Sequence, residues 1–168
     1  MRTFGLINMP TILHQTPIGI ARIREEDGFI TSVKVMDHCD DEVDAPILLL
    51  KLAAQQLDEY FAGERREFDF PIKQSGSSFQ QEVWECLLKI GYGKTISYLQ
   101  QSKMMNNPLA IRAIASSNGR NDLAIIVPCH RVIGSDGSLT GYVGGLWRKK
   151  WLLEHEAKLL GVGQTKLF

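Results

Sequence analysis

Long apolar segments are missing from this sequence of 168 residues. The apolar run at residues 47–50 ends at Lys51, whereas a membrane-spanning helix requires about 20 apolar residues. The N-terminus also lacks a basic segment followed by an apolar core, so we expect no signal peptide. These absences predict a cytoplasmic protein that has no membrane partner.

Cysteine is scarce, with three residues and no Cys-x-x-Cys pair. An odd, dispersed set suits free thiols in a reducing compartment better than a disulfide framework. His38 and Cys39 lie in an acidic segment, but two ligands do not make a metal site. We therefore predict neither a metal nor a cofactor.

The formal net charge is zero, but basic and acidic residues are unevenly distributed. Residues 1–75 contain 8 basic and 13 acidic side chains, while residues 76–168 contain 11 basic and 6 acidic ones. An excess of positive charge in one half is typical of a surface that binds a polyanion. The alternative is a chance imbalance on a solvated face.

The first half of the chain contains strand patterns. Alternation of apolar and polar residues predicts strands at residues 18–24 and 29–35. Asp27-Gly28 between them favours a hairpin, because glycine adopts positive φ without steric cost. A short mixed run at residues 3–8 predicts a weak edge strand.

One helix is expected after these strands. It begins near Ala45-Pro46, where Asp44 can cap it and proline is tolerated in the first turn. Gly63 ends it. We interpret its apolar stripe as part of the core, and the stripe consists of Leu49, Leu52, Ala53, Leu57, Tyr60 and Phe61.

A polar linker at residues 74–77 coincides with the change of charge and marks the domain boundary. Ser78 and Gln81 fit a capping box for the helix that follows. A last helix is predicted at residues 146–160. Its expected buried side consists of Trp147, Trp151, Leu152 and Leu159.

Two short helices joined by a tight turn predict a helix-turn-helix. The first covers residues 98–105, and the second covers residues 109–117 after Asn107 as cap and Pro108 as first residue. The second helix carries alanines and one charge, Arg112, so it can lie close to a DNA groove. The alternative is a close helix–helix contact with Arg112 in solvent.

One segment indicates a reactive cysteine. Cys129 and His130 are adjacent, directly after the apolar residues 125–128, and Arg131 follows them. A neighbouring imidazole or cation favours the thiolate, which is the nucleophilic form of cysteine. The pair alone is a weak motif, since a core cysteine beside a surface histidine gives the same pattern.

The surrounding residues carry a family resemblance. Residues 128–132 (Pro-Cys-His-Arg-Val), with residues 93–98 and 140–142, resemble the O6-alkylguanine-DNA alkyltransferases, also called methylated-DNA–protein-cysteine methyltransferases. The resemblance is dense over residues 78–156 and thinner before them.

The resemblance implies an α+β fold. An N-terminal ribonuclease-H-like α/β domain, residues 1–75, would precede a mostly α-helical winged helix-turn-helix domain, residues 76–168. This order agrees with the hairpin, the linker and the helix-turn-helix expected from the residues themselves.

The resemblance also implies the catalytic residues. Cys129 would take the alkyl group from the O6 oxygen of guanine. His130 would act as its base through a water molecule, since neighbouring side chains on an extended chain point apart. Glu156 would orient the imidazole, and Asn121 would join this hydrogen-bonded network. Tyr98 would donate toward the ring nitrogen of the leaving guanine.

The substrate pocket is assigned in the same way. The backbone amide of Val143 would face the O6 oxygen, and the carbonyls of Cys129 and Val132 would hold the guanine amino group. Tyr142 and Gly144 would line the pocket for the alkyl group.

Double-stranded DNA containing O6-alkylguanine is the implied partner, and the target nucleotide must leave the base stack. Arg112 matches the arginine that takes the place of the flipped base. The face formed by Ala110 and Ala113, with Tyr98 and Arg131, would also contact DNA. We expect a monomer whose DNA binding is sensitive to salt.

The implied function is DNA repair by direct reversal of damage. The alkyl group, usually methyl, would move irreversibly and stoichiometrically to Cys129, so the protein would be a single-turnover (suicide) methyltransferase. O4-methylthymine is expected as a second substrate. The alternatives are a non-catalytic damage-binding protein of the same fold, whose known examples lack this cysteine, and a thiol hydrolase.

Overall fold

The computed structural model describes residues 9–44 and 47–161. Within these ranges, no helix is both long and apolar enough to cross a membrane, and no three His, Cys, Asp or Glu side chains are grouped to hold a metal ion. The elements along the chain are β1 (Thr11–Thr16), β2 (Gly19–Glu26), β3 (Phe29–Met36), α1 (Leu48–Phe61), α2 (Ser78–Leu88), β4 (Ile96–Ser97), α3 (Tyr98–Met104), α4 (Ile111–Gly119), a 3₁₀ turn (Cys129–Arg131), β5 (Val132–Ile133) and α5 (Leu146–Leu159).

The N-terminal half is an antiparallel sheet in the order β1-β2-β3, with α1 in contact with all three strands. Asp27 and Gly28 form the turn between β2 and β3 with φ values of 51° and 83°. Positive φ at both positions is what a tight hairpin turn requires, so the predicted hairpin is confirmed.

The predicted strand at residues 3–8 lies outside the described residues. Strand β1 was not predicted, because its two apolar residues, Ile12 and Leu13, are adjacent and do not alternate.

Helix α1 begins at Leu48, and the predicted start at Ala45-Pro46 lies outside the described residues. Asp44 does not cap it, because the Asp44 carboxylate accepts the backbone N–H of Thr11 at 2.9 Å. The buried face is shifted slightly from the predicted stripe. Its fully buried members are Leu50, Ala53, Leu57 and Tyr60, with Leu49, Leu52 and Phe61 partly buried beside them.

The start of α2 is a capping box, as predicted, but one residue earlier. Ser77 accepts from the N–H of Gln80, and the Gln80 side chain accepts from the N–H of Ser77. The predicted pair was Ser78 and Gln81. Ser77 is the last residue with extended backbone, at φ −62° and ψ 163°, so it takes the cap position.

Helices α3 and α4 form the predicted helix-turn-helix, although α4 starts at Ile111 and not at Leu109. The N–H of Ala110 donates to the carbonyl oxygen of Asn107 at 3.1 Å. Pro108 therefore occupies the second position of a turn, which its fixed φ favours as strongly as a helix start. β4 pairs in parallel with β5, and this short sheet contacts α3.

The two halves are joined along the edge of β3. The N–H of Val33 donates to the carbonyl oxygen of Asp122 at 2.8 Å, and the N–H of Ala124 donates to that of Val33 at 3.0 Å. The side chain of Gln74 adds bonds to Asn121 at 2.9 Å and to the N–H of Asp122 at 2.8 Å. The edge of the sheet thus supports the segment that leads to Cys129.

The buried face of α5 differs from the prediction. Leu152 is buried as expected, but Trp147 and Leu159 are 52% and 39% exposed. Arg148 and Lys149 are buried instead, and they donate to backbone carbonyl oxygens at 2.7 and 2.9 Å. Buried cationic groups are tolerated where their donors find such partners.

Candidate active site

Cys129 and His130 share one 3₁₀ turn and not the extended backbone assumed above. The run before it is sharply bent, and Ile125 has φ 73°. This left-handed conformation costs a β-branched residue on the order of 1–3 kcal/mol. Burial of Ile125 and the bond from the N–H of Val127 to the carbonyl oxygen of Leu123, at 2.9 Å, hold the bend in place.

The thiol of Cys129 faces a cavity and is protonated in the resting protein. Burial raises the pKa of the Cys129 thiol, and a hydrogen bond from Asn121 and the charge of Lys149 offset this rise only in part. The Asn121 Nδ2 lies 3.4 Å from Sγ. A thiol of this kind needs a base to become nucleophilic.

His130 is fully buried, and its Nε2 lies 2.8 Å from Oε1 of Glu156. Because an ionised carboxylate only accepts, Nε2 carries the proton and Nδ1 holds a lone pair. Nδ1 is buried without a hydrogen-bond partner in the described part of the chain. Burial lowers the pKa of His130 more than Glu156 raises it, so the ring is neutral and Nδ1 is free to accept a proton.

Glu156 is the acceptor at the centre of the site. Its Oε1 accepts from His130, Arg131 and Tyr60, each at 2.8 Å, and its Oε2 accepts from Arg131 at 3.0 Å and from the N–H of Gly93 at 3.2 Å. Burial alone would raise the pKa of Glu156, but His130 and Arg131 hold it well below its usual range. Glu156 is therefore ionised.

Arg131 lies inside the protein, which contradicts its predicted contact with DNA. It is 6% exposed, and its guanidinium donates to Glu156 and to the carbonyl oxygen of Ile90 at 2.7 Å. Its position directly after Cys129 and His130 gave no sign of this burial. Arg131 balances the charge of Glu156, and we no longer include it among the residues predicted to contact DNA.

A cavity of about 820 Å³ opens beside Cys129. Residues 33–36 of β3 form part of its wall. Val132 is not part of this lining, because it is fully buried in β5 and paired with Ile96. The predicted site residues that line the cavity are Tyr98, Arg112, Asn121, Cys129, Tyr142, Val143 and Gly144.

Both halves of the chain match one family. Residues 12–74 match "6-O-methylguanine DNA methyltransferase, ribonuclease-like domain", and residues 78–158 match "6-O-methylguanine DNA methyltransferase, DNA binding domain". The chain belongs to the methylated-DNA–protein-cysteine methyltransferase family. The resemblance and the α+β class inferred from the sequence are confirmed, while the division between residues 75 and 76 stays a prediction.

Relatives match this methyltransferase chain over most of its length. The constitutive methylated-DNA–protein-cysteine methyltransferase of Bacillus subtilis is 44% identical over 140 residues, which cover 77% of this chain and 84% of the relative. The one from Methanosarcina acetivorans is 50% identical over 150 residues, covering 86% and 96%. The crystal structure of Mycobacterium tuberculosis OGT in complex with DNA superposes with a TM-score of 0.79 at 42% identity, covering 89% and 92%.

The residues that this methyltransferase was predicted to use on DNA lie on or near α4. Arg112 is exposed in the first turn and reaches the cavity, and Ala113 is exposed beside it. Ala110 is half-buried at the cap position. Tyr98 donates its hydroxyl to the carbonyl oxygen of Thr140 at 3.0 Å. Their contacts with DNA stay predictions.

Tyr60 and Lys149 are site residues that sequence reasoning missed. Tyr60 fell within the apolar stripe of α1, and Lys149 was not among the residues expected on the buried side of the last helix. Lys149 is fully buried and donates to the carbonyl oxygen of Thr140 at 2.9 Å. Burial lowers the pKa of Lys149 to about 8, against an opposing effect of Cys129.

Proposed function

We propose that this protein repairs DNA by moving the alkyl group of O6-alkylguanine in duplex DNA onto Cys129, with O4-methylthymine as a second substrate. One observation carries the proposal: Cys129 faces the cavity while the hydrogen-bonded pair His130 and Glu156 is buried next to it. Membership of the methyltransferase family supports the reaction class, since its members are named for the protein cysteine that receives the methyl group.

Activation of the thiol begins when the proton of Cys129 passes to Nδ1 of His130. Successive residues of a 3₁₀ turn direct their side chains apart, so we propose that a water molecule relays this proton. The imidazolium then forms 2.8 Å from Glu156, whose negative charge stabilises it. The positive charge of Lys149 stabilises the thiolate.

The thiolate then attacks the alkyl carbon. The S–C bond forms as the C–O6 bond breaks, and the electron pair of the broken bond remains on the guanine oxygen. The guanine anion then takes up, at its ring nitrogen, the proton that left Cys129. In our assignment, Tyr98 exchanges its bond to Thr140 for one to the guanine ring, and the N–H of Val143 faces O6. Tyr142 and Gly144 line the alkyl pocket. The thioether product has no easy route back, so each molecule reacts once.

Duplex DNA is the proposed partner, and α4 is its proposed contact. A relative from Mycobacterium tuberculosis was crystallised in complex with DNA, and residues 76–168 of this chain carry the positive excess. Arg112 stands at the cavity, where it would fill the space of the extruded nucleotide. Binding should depend little on sequence and should weaken as salt increases.

The proposal also covers the state of the protein in the cell. We propose that it is a monomer. We place it in the cytoplasm, because its three cysteines, Cys39, Cys86 and Cys129, are free and suit a reducing compartment. We place the domain boundary between residues 75 and 76, where the charge balance changes.

The test is a measurement of stoichiometry. The protein is incubated with an excess of duplex oligonucleotide that contains O6-methylguanine, and restored guanine is counted per protein molecule. We expect a single repair event per molecule and none by the Cys129→Ser variant, which should still bind the duplex. Binding without repair would indicate a damage-binding protein, and repeated repair by one molecule would contradict irreversible transfer to Cys129.

A further inference from the structure

Tyr60 connects the N-terminal half of the chain to the proposed catalytic network. It lies near the end of α1, and its hydroxyl donates to Oε1 of Glu156 at 2.8 Å. Both side chains are fully buried, although the residues are 96 positions apart in sequence. A buried tyrosine hydroxyl needs a hydrogen-bond acceptor, and here the acceptor is the carboxylate that also binds His130.

One oxygen atom of Glu156 serves several donors. Oε1 accepts from the hydroxyl of Tyr60, from Nε2 of His130 and from Nη2 of Arg131, each at 2.8 Å. In a buried network, each donor on a carboxylate oxygen withdraws negative charge from the other partners. Tyr60 therefore acts on the same atom that holds the proposed base.

We infer that Tyr60 is a positioning residue for the transfer reaction and sets the orientation and basicity of His130 through Glu156. The inference rests on the proposed function, because it takes His130 as the base for Cys129. It gives the N-terminal half a direct part in the chemistry, since α1 completes a network whose other members lie in the C-terminal half.

The surroundings of Tyr60 fix its side chain. Its ring packs edge-on against Phe61 and Tyr92, with centroids 5.3 and 6.0 Å away. Its carbonyl oxygen lies 2.9 Å from Nε2 of His155, which directly precedes Glu156 on α5. Tyr60 thus holds two successive residues of α5, and its hydroxyl is preorganised on the carboxylate.

The electrostatic effect has a definite sign. Burial and the negative charge of Glu156 raise the pKa of Tyr60 well above its ordinary value, so Tyr60 stays a donor at physiological pH. Among the described residues, the other charged or titratable groups beside the network are Arg131, Lys149, Tyr92, Tyr142 and His155. Without the Tyr60 hydroxyl, the Glu156 carboxylate would hold more negative charge and the pKa of His130 would rise.

The test compares Tyr60→Phe with Tyr92→Phe. Each substitution removes one hydroxyl from the same aromatic cluster, but only the Tyr60 hydroxyl donates to Glu156 among the contacts of the described residues. Single-turnover transfer is measured from acidic to alkaline pH. We expect transfer by Tyr60→Phe to be about tenfold slower at neutral pH. The acid limb of its pH–rate profile, where the rate falls as the pH is lowered, should lie at higher pH, because His130 is protonated more easily. Tyr92→Phe should keep the wild-type rate and limb.

A second variant makes the opposite change. 3-Fluorotyrosine at position 60 keeps nearly the same ring volume but has a more acidic hydroxyl, so the acid limb should move to lower pH. This variant also carries the test if Tyr60→Phe does not fold. An acid limb that stays in place in the folded variants would overturn the inference even if the rate fell. Failure of the proposed function is distinguishable, because the wild-type protein would then transfer nothing.

Discussion

The guanidinium of Arg131 and the carboxylate of Glu156 form a buried, two-pronged ion pair, with Nε 3.0 Å from Oε2 and Nη2 2.8 Å from Oε1. A carboxylate buried beside a neutral imidazole is costly unless a second group balances its charge. Arg131 therefore keeps Glu156 ionised before His130 takes up a proton. The ion pair prepares the site for base catalysis in the resting protein.

Replacing Arg131 by alanine should destabilise the protein by about 3–5 kcal/mol, because an uncompensated carboxylate would stay buried. Denaturant-induced unfolding measures the change. Arg112→Ala removes an exposed arginine and should change the free energy of unfolding by no more than about 0.5 kcal/mol. A similar small change for both variants would show that Glu156 does not depend on Arg131.

The stability of the protein should decrease as the pH falls below 6.5 because of His130. Burial lowers the pKa of His130 in the folded protein from its ordinary value of 6.5, whereas the unfolded chain takes up the proton near that value. Below this pH the unfolded state binds more protons than the folded state, so the free energy of unfolding decreases as the pH is lowered. Unfolding at a series of pH values should show this slope in the wild type and a shallower one in His130→Asn. Identical slopes would argue against a buried neutral imidazole.

Asn121 holds the loop that carries the reactive thiol. Its Nδ2 donates to the carbonyl oxygen of Val127 at 2.8 Å, and its Oδ1 accepts from Gln74 at 2.9 Å and from the N–H of Leu123 at 3.0 Å. Asn121→Ala should lower the free energy of unfolding by about 1–3 kcal/mol, since buried partners lose their bonds. It should also slow transfer to Cys129. Unfolding and single-turnover assays test both effects, and wild-type values in either would contradict this role.

Arg112→Ala should slow transfer from duplex DNA far more than transfer from the free modified base. Unstacking a nucleotide costs a few kcal/mol, so we expect a loss of roughly tenfold or more on the duplex. Lys51→Ala removes an exposed positive charge from α1 and serves as the control. Equal losses on duplex and free base would remove the role of Arg112 in nucleotide extrusion.

Local signals in the sequence were sufficient for several elements. Asp27-Gly28 predicts the hairpin because its backbone preference needs no distant partner. The pair Asn107-Pro108 was less decisive, because these residues suit a turn and a helix start equally. The start of α4 was therefore placed too early. The pairing of His130 with Glu156 came from the family resemblance, and the structure brings the two side chains within 2.8 Å.

Buried polar residues were the main features that the sequence did not reveal. Tyr60 contacts Glu156, which lies 96 positions away in the sequence. A tyrosine in an apolar stripe is predicted to be a core residue whether or not it makes such a contact, so the sequence did not indicate this one. Arg131 was expected to contact DNA, and Lys149 was not among the residues predicted to be buried. The burial of both depends on carbonyl acceptors that the fold brings to them. Only the tertiary structure shows that those acceptors are present.

Mass measurement of the peptide that contains Cys129 tests the central claim most directly. Trypsin cleaves after Arg120 and Arg131, which separates Cys129 from Cys39 and Cys86. After incubation with duplex DNA that contains O6-methylguanine, the Cys129 peptide should gain the mass of one CH2 unit, because methyl replaces the thiol hydrogen, and the peptides of the other two cysteines should be unchanged. An unmodified Cys129 peptide, with the lesion still present in the DNA, would contradict the account.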